Sequence, residues 1–141
     1  MRRAFESKTV IDRPAAEVWR ELTDWERAPR WMPGIDAMSC DAGTAPGSTV
    51  TFRTRGRART STITEVEPGR ALTLVSVQGG VTARYTYRLL PSDDRTRVRL
   101  TADVATAGPW VVLGPVVRAA IRRADAHQLT ALREVVQGGR V

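Results

Sequence analysis

Three residue types on which catalysis and metal binding often depend are almost missing from this chain. Its 141 residues include one cysteine, Cys40, one histidine, His127, and one lysine, Lys8. A single cysteine excludes an internal disulfide and leaves the redox compartment open, with the cytoplasm as the default expectation. One cysteine and one histidine cannot assemble a Cys/His zinc site within one chain, so no metal is expected. A Ser–His–Asp triad would have to use His127, and no Gly-x-Ser-x-Gly motif is present to supply its nucleophile. No glycine-rich phosphate loop occurs either, and no cofactor is expected. No apolar run approaches the roughly 20 residues that cross a bilayer. The opening stretch MRRAFESKTVIDR lacks the apolar core of a signal peptide. Without internal repeats or a low-complexity linker, residues 1–141 read as one domain, long enough for a real core.

What the chain does have is arginine. The net charge is +7, and Lys8 is the only lysine among 22 basic residues. The densest basic stretch is Arg53, Arg55, Arg57 and Arg59, alternating around Gly56. It is the best candidate for RNA or an anionic membrane. It lacks the interleaved aromatics of a single-strand binder, and a solvated basic hairpin is the plainer reading.

Pattern along the chain divides it into strands and helices. Ala4 to Asp12 reads as a strand with Phe5, Ser7, Thr9 and Ile11 on one face. Pro14 suits the first turn of a helix carrying Ala15, Val18, Trp19 and Leu22, with Asp12 or Arg13 as its cap. Asp24 caps a second short helix to about Arg30, which Pro33-Gly34 ends. Six strands follow, near 35–41, 48–55, 57–67, 71–77, 81–90 and 96–105, separated by turn residues such as Gly79-Gly80 and Pro68-Gly69. Short connections favour antiparallel hairpins. In the strand at 57–67, Ile63 and Val66 can share a face only through a bulge.

From Gly108 to Gln137 the pattern turns helical. Val117, Ala120, Ile121, Ala124, Ala131, Leu132 and Val135 recur every three or four residues, which marks one buried face. Alanines at its middle leave room between helix and sheet. Pro115 either kinks this helix or starts its regular part, after a less regular lead-in. The fold class is therefore α+β: a seven-stranded antiparallel sheet wrapped around a long C-terminal helix, with two short helices between strands 1 and 2.

That element order carries four recognisable pieces: Pro-Ala-Ala-Glu-Val-Trp at the first helix, Trp-Met-Pro-Gly after the second, Thr-Glu-Val-Glu-Pro-Gly-Arg before the fifth strand, and Gly-Pro at the last segment. Together they resemble the START-like/SRPBCC superfamily, in its bacterial polyketide cyclase/dehydrase and lipid-transport branch. The resemblance covers essentially the whole chain. It implies a helix-grip fold whose central cavity takes a hydrophobic or amphipathic small molecule, and the superfamily shares architecture more than any catalytic residue.

Several residues are candidates for that cavity. Tyr85 and Tyr87 share a strand face, where their hydroxyls either meet a ligand or reach water while the rings pack. His127, one turn from Ala120, Ala124 and Ala131, either faces the cavity or lies wet at the helix edge. Arg59 and Arg84 could supply positive charge to an enolate or carboxylate. Trp31 and Met32 belong at the cavity mouth or in hydrophobic closure beside Pro33-Gly34, and Trp110 covers the other end. Phe52, Leu74, Leu100, Val117, Ala120, Ile121 and Ala124 complete the expected lining. Three functions follow. The first is binding of a lipid, isoprenoid or polyketide-like molecule. The second is a polyketide cyclase/aromatase or dehydratase using Tyr85, Tyr87, Arg59 and His127. The third is a basic interaction module. The expected partner is a hydrophobic small molecule rather than nucleic acid; peripheral contact with an anionic membrane, and monomer against homodimer, stay open.

Overall fold

Strand β1 (Arg2–Ile11) runs into a turn at Asp12-Arg13, after which the chain crosses the open side of the sheet before pairing again. The computed structural model, which describes residues 1–138, puts two short helices in this crossing: α1 (Ala15–Leu22) and a 3-10 helix over Trp25–Arg30. Pro14 itself stands at the N-cap of α1, and no side chain caps it, so neither Asp12 nor Arg13 has the expected role. Asp24 also makes no side-chain cap bond. The second helix is 3-10 and contains Pro29, which has no N–H to donate to the preceding turn.

Strands β2 (Ala37–Cys40), β3 (Thr49–Thr54), β4 (Arg57–Glu67), β5 (Ala71–Gln78), β6 (Val81–Ser92) and β7 (Arg95–Thr106) then form an antiparallel meander. The sheet order is β1-β7-β6-β5-β4-β3-β2, so β1 closes against the last strand. Consecutive strands are neighbours because their links are tight turns. Between β3 and β4 the turn is Arg55-Gly56, with φ of 52° and 76°. This pair of left-handed residues matches the twist of a two-residue hairpin. The bulge required in β4 lies between Ile63 and Glu65, where the register with β5 shifts. It turns Val66 back to the face of Ile63.

Inward residues of the central strands are almost solvent-free. Val98, Leu100 and Ala102 on β7 are each 0% exposed, as are Leu72 on β5 and Ile63 on β4. Burying each large aliphatic side chain stabilises the fold by about 1.5–3 kcal/mol.

The C-terminal segment is helical from Gly108 to Gly138 in three pieces. A 3-10 lead-in over Gly108–Leu113 precedes α2 (Gly114–Asp125), with Pro115 in its first turn. Ala126 and His127 form a turn, and α3 (Gln128–Gly138) follows. The two α-helices are buried very differently. In α3, Leu129 and Leu132 are sealed against α1 and β1, whereas Gly114 is the only buried residue of α2. α2 spans the sheet without filling the space beneath it.

Candidate functional site

The space under α2 is a cavity of about 650 Å³. Sites for small organic ligands run roughly from 300 to 1,000 Å³. A depression of similar size, about 670 Å³, lies on the opposite face of the sheet. Volume does not separate the two, but chemistry does. The outer one is lined by arginines, threonines and acidic residues such as Arg84, Arg99, Thr101 and Asp103. The inner one is walled by Val50, Leu74, Val81 and Ala83 from the strands, and by Val117 and Ile121 from α2.

Most residues expected from the sequence meet here. Met32, Phe52, Leu74, Tyr85, Tyr87, Trp110, Val117, Ala120 and Ile121 all line the cavity. Trp110 closes the end beside the β5–β6 turn. A Cβ on Gly80 would collide with the Ala107 carbonyl oxygen and with Trp110 Cδ1, so only glycine lets the indole lie this close. Around it Val111, Val112, Leu113 and Val116 remain exposed.

Six expected residues are placed elsewhere. Trp31 and Leu100 are buried, 1% and 0% exposed, but lie in the packed core rather than on the cavity wall. Trp31 supports the wall indirectly, packing edge-to-face on the Tyr87 ring at 6.1 Å. Ala124 and His127 are exposed. The residues that face inward run Val117, Ile121, Asp125 and Gln128, at spacings of four, four and three, and Ala124 and His127 lie beside that stripe on the solvent side. Arg59 shares the inner face of β4 with Ser61 but is only half-buried and lies outside the lining. Arg53, Arg55 and Arg57 are exposed on the hairpin, away from the cavity. Arg84 is on the outer face with Asp103.

The inward stripe carries two residues that the sequence reading missed, Asp125 and Gln128. The last residue of α2 and the first of α3 both face β6. Tyr85 donates its hydroxyl hydrogen to Asp125 Oδ2 at 2.5 Å, and Tyr87 donates to Gln128 Oε1 at 2.6 Å. Gln128 Nε2 donates to Asp125 Oδ1 at 3.0 Å, closing the chain of bonds. An i, i+3 pair of Asp and Gln opposite two tyrosines was the available signal. Their polarity rather than their spacing hid them, since both continue the Val117 and Ile121 stripe.

Electrostatics follow from burial. Desolvation raises the Asp125 carboxyl above 3.8, against the opposing pull of the hydrogen bonds from Tyr85 and Gln128. Desolvation also raises both phenols well above 10, and the nearby Asp125 charge adds to it. The tyrosines are therefore neutral hydrogen-bonding groups at ordinary pH, not bases. A second polar spot, the Ser61–Ser76 hydroxyl pair at 2.5 Å, lies on β4 and β5. Among the described residues no cluster of His, Cys, Asp or Glu is placed to hold a metal, and no helix is long and apolar enough to cross a membrane.

Comparisons with known proteins agree with this architecture. A START superfamily protein from Mycobacterium smegmatis superposes with a TM-score of 0.76 at 17% identity, over 95% of this chain and 97% of that one. TTHA0849 from Thermus thermophilus gives 0.75 at 18%, over 96% and 98%. The di-domain ARO/CYC BexL from the BE-7585A biosynthetic pathway gives 0.79 at 22%, over 97% of this chain and 47% of that one. A comparison with curated proteins gives no match. The family model for polyketide cyclase / dehydrase and lipid transport matches residues 2–137, nearly the full length. The chain belongs to that family.

Proposed function

We propose that this protein binds an amphipathic small molecule of the lipid, isoprenoid or polyketide kind in the cavity beneath α2. The observation that carries this reading is a mostly apolar space of ligand size with a hydrogen-bonded polar cluster at its tyrosine end. Val81 and Tyr87 are six residues apart on β6, so the wall extends about 20 Å from the Trp110 end to the phenols. An elongated or polycyclic apolar body fits that length, with its polar end at Tyr85, Tyr87, Asp125 and Gln128. Binding would draw on burial, at about 25 cal/mol per Å² of apolar surface before ordering costs.

Native mass spectrometry of the purified protein, followed by extraction, tests this directly. The expected result is a bound apolar molecule in the wild type. Ala83, on the cavity wall, offers the control. Ala83→Phe fills the space and should lower occupancy at least tenfold. Undiminished occupancy in a folded Ala83→Phe variant would place the ligand elsewhere.

A second reading, polyketide cyclisation or dehydration, is favoured by the Tyr85–Asp125 pair. A carboxylate with a raised pKa, facing an apolar cavity, is suited to accept a proton from carbon next to a carbonyl. Turnover of a poly-β-ketone that survived both Asp125→Asn and Tyr85→Phe unchanged would exclude it.

A further inference from the structure

The polar end of the cavity has a direction as well as a location. An ionised carboxylate only accepts hydrogen bonds. Asp125 takes one on each oxygen, from Tyr85 and from Gln128 Nε2. That fixes the Gln128 amide with its oxygen toward Tyr87, so the Tyr87 hydroxyl must donate to it. Both phenol hydrogens are thus committed inside the network. Each phenol oxygen keeps acceptor capacity, and one Gln128 N–H is the single uncommitted donor of the cluster.

The charge pattern points the same way. Among the described residues lining the cavity there is no arginine, lysine or histidine, although the whole chain carries +7. Asp125 is the one acidic residue in the lining, and no ion pair reaches it from the described residues. An anionic ligand would therefore meet a buried negative charge with no cation to offset it, which is strongly unfavourable.

On the reading that this cavity is the ligand site, we infer that it selects ligands whose buried end donates a hydrogen bond — a hydroxyl, phenol or protonated amine — and rejects carboxylates. Tyr85 and Tyr87 accept that hydrogen. Asp125 sets the polarity without having to touch the ligand. A free fatty acid or other carboxylate-ended lipid is the wrong class. A hydroxylated polycycle or an alcohol-ended isoprenoid is the right one.

Three naphthalenes with the same ring body test the polarity by titration calorimetry near pH 7: 2-naphthol, 2-acetylnaphthalene and 2-naphthoate. The wild type should bind 2-naphthol about tenfold more tightly than the ketone, the worth of one hydrogen bond that only the phenol can make. The carboxylate should bind weakest. Asp125→Asn is the decisive variant. Its amide accepts one hydrogen bond and donates one where the carboxylate accepted two, so one phenol hydrogen, on Tyr85 or Tyr87, is released into the cavity. The ketone should then overtake 2-naphthol. Tyr85→Phe, with its fold checked by thermal unfolding, should lose most of the 2-naphthol advantage without gaining the ketone. A wild type that ranks the ketone or carboxylate first, or a preference unchanged in both variants, overturns the inference while leaving the cavity a ligand site. Failure of the folded wild type to bind any of the three removes the ligand-site reading, and this inference with it.

Discussion

Two aspartates on opposite faces of the same sheet show how differently its two sides are built. Asp103 on β7 is turned outward, and burial alone would raise its carboxyl; hydrogen bonds and charge from Arg3 and then Arg84 outweigh that and hold it below 3.8. The contacts are 2.8 Å to Arg3 and 3.4 Å to Arg84. Asp125 faces the inner side, where its partners are a phenol and an amide, and burial wins. Both carboxylates are shielded from water and hydrogen-bonded. Only the outer one has cations. Removing water thus has opposite consequences on the two faces, because what replaces the water differs. The outer face uses charge to stabilise the fold, and the inner face keeps a charge that the fold does not neutralise.

The contrast can be broken or sharpened by substitution. The largest effect is expected from Leu100→Ala, which empties a fully buried inward position and should cost about 3 kcal/mol in urea unfolding. Its outward neighbour Thr101→Ala should stay within about 0.5 kcal/mol, and equal losses would mean that the faces are not distinct in packing. Next comes Tyr87→Phe, which leaves the buried Gln128 carbonyl without its donor and should cost about 1–2 kcal/mol. Asp103→Asn should cost about 1 kcal/mol at pH 7, modest because its arginine partners are half-exposed. Since the folded carboxyl lies below 3.8, the wild-type advantage should be full above that pH and fade as pH falls through the lower folded value. Asp125→Asn should show the smallest difference and the opposite sign. Its carboxyl is raised, so the wild type and variant should match below 3.8. The wild type should then lose ground as pH rises through the higher folded value. Parallel pH profiles for the two variants would erase the comparison.

Much of the scaffold was legible from local pattern. Alternation in β5, β6 and β7 assigned Leu72, Leu74, Tyr85, Tyr87, Leu89 and the inward residues of β7 to one face, and that face is buried or lines the cavity. Even the β4 bulge followed from Ile63 and Val66 needing a common side. A strand's period of two survives any tertiary context, so such inferences carry far along the chain. Helical inference was more fragile. A period of 3.6 admits adjacent stripes on one helix, and following the apolar residues put Ala124 and His127 in the site in place of Asp125 and Gln128, which continue the spacing of Val117 and Ile121.

By itself, then, the sequence determined the seven-stranded antiparallel sheet, its inward faces and the presence of a helical cover with small residues over its middle. These follow from short-range periodicity and turn chemistry. Only the tertiary structure decided which polar groups the cavity contains and which way their hydrogens point. Tyr85 and Asp125 are forty residues apart in the chain, and their hydrogen bond exists only because sheet and helix pack together. Directionality is a property of the closed network. It depends on one carboxylate accepting from two donors at once, and no single residue in the chain records it.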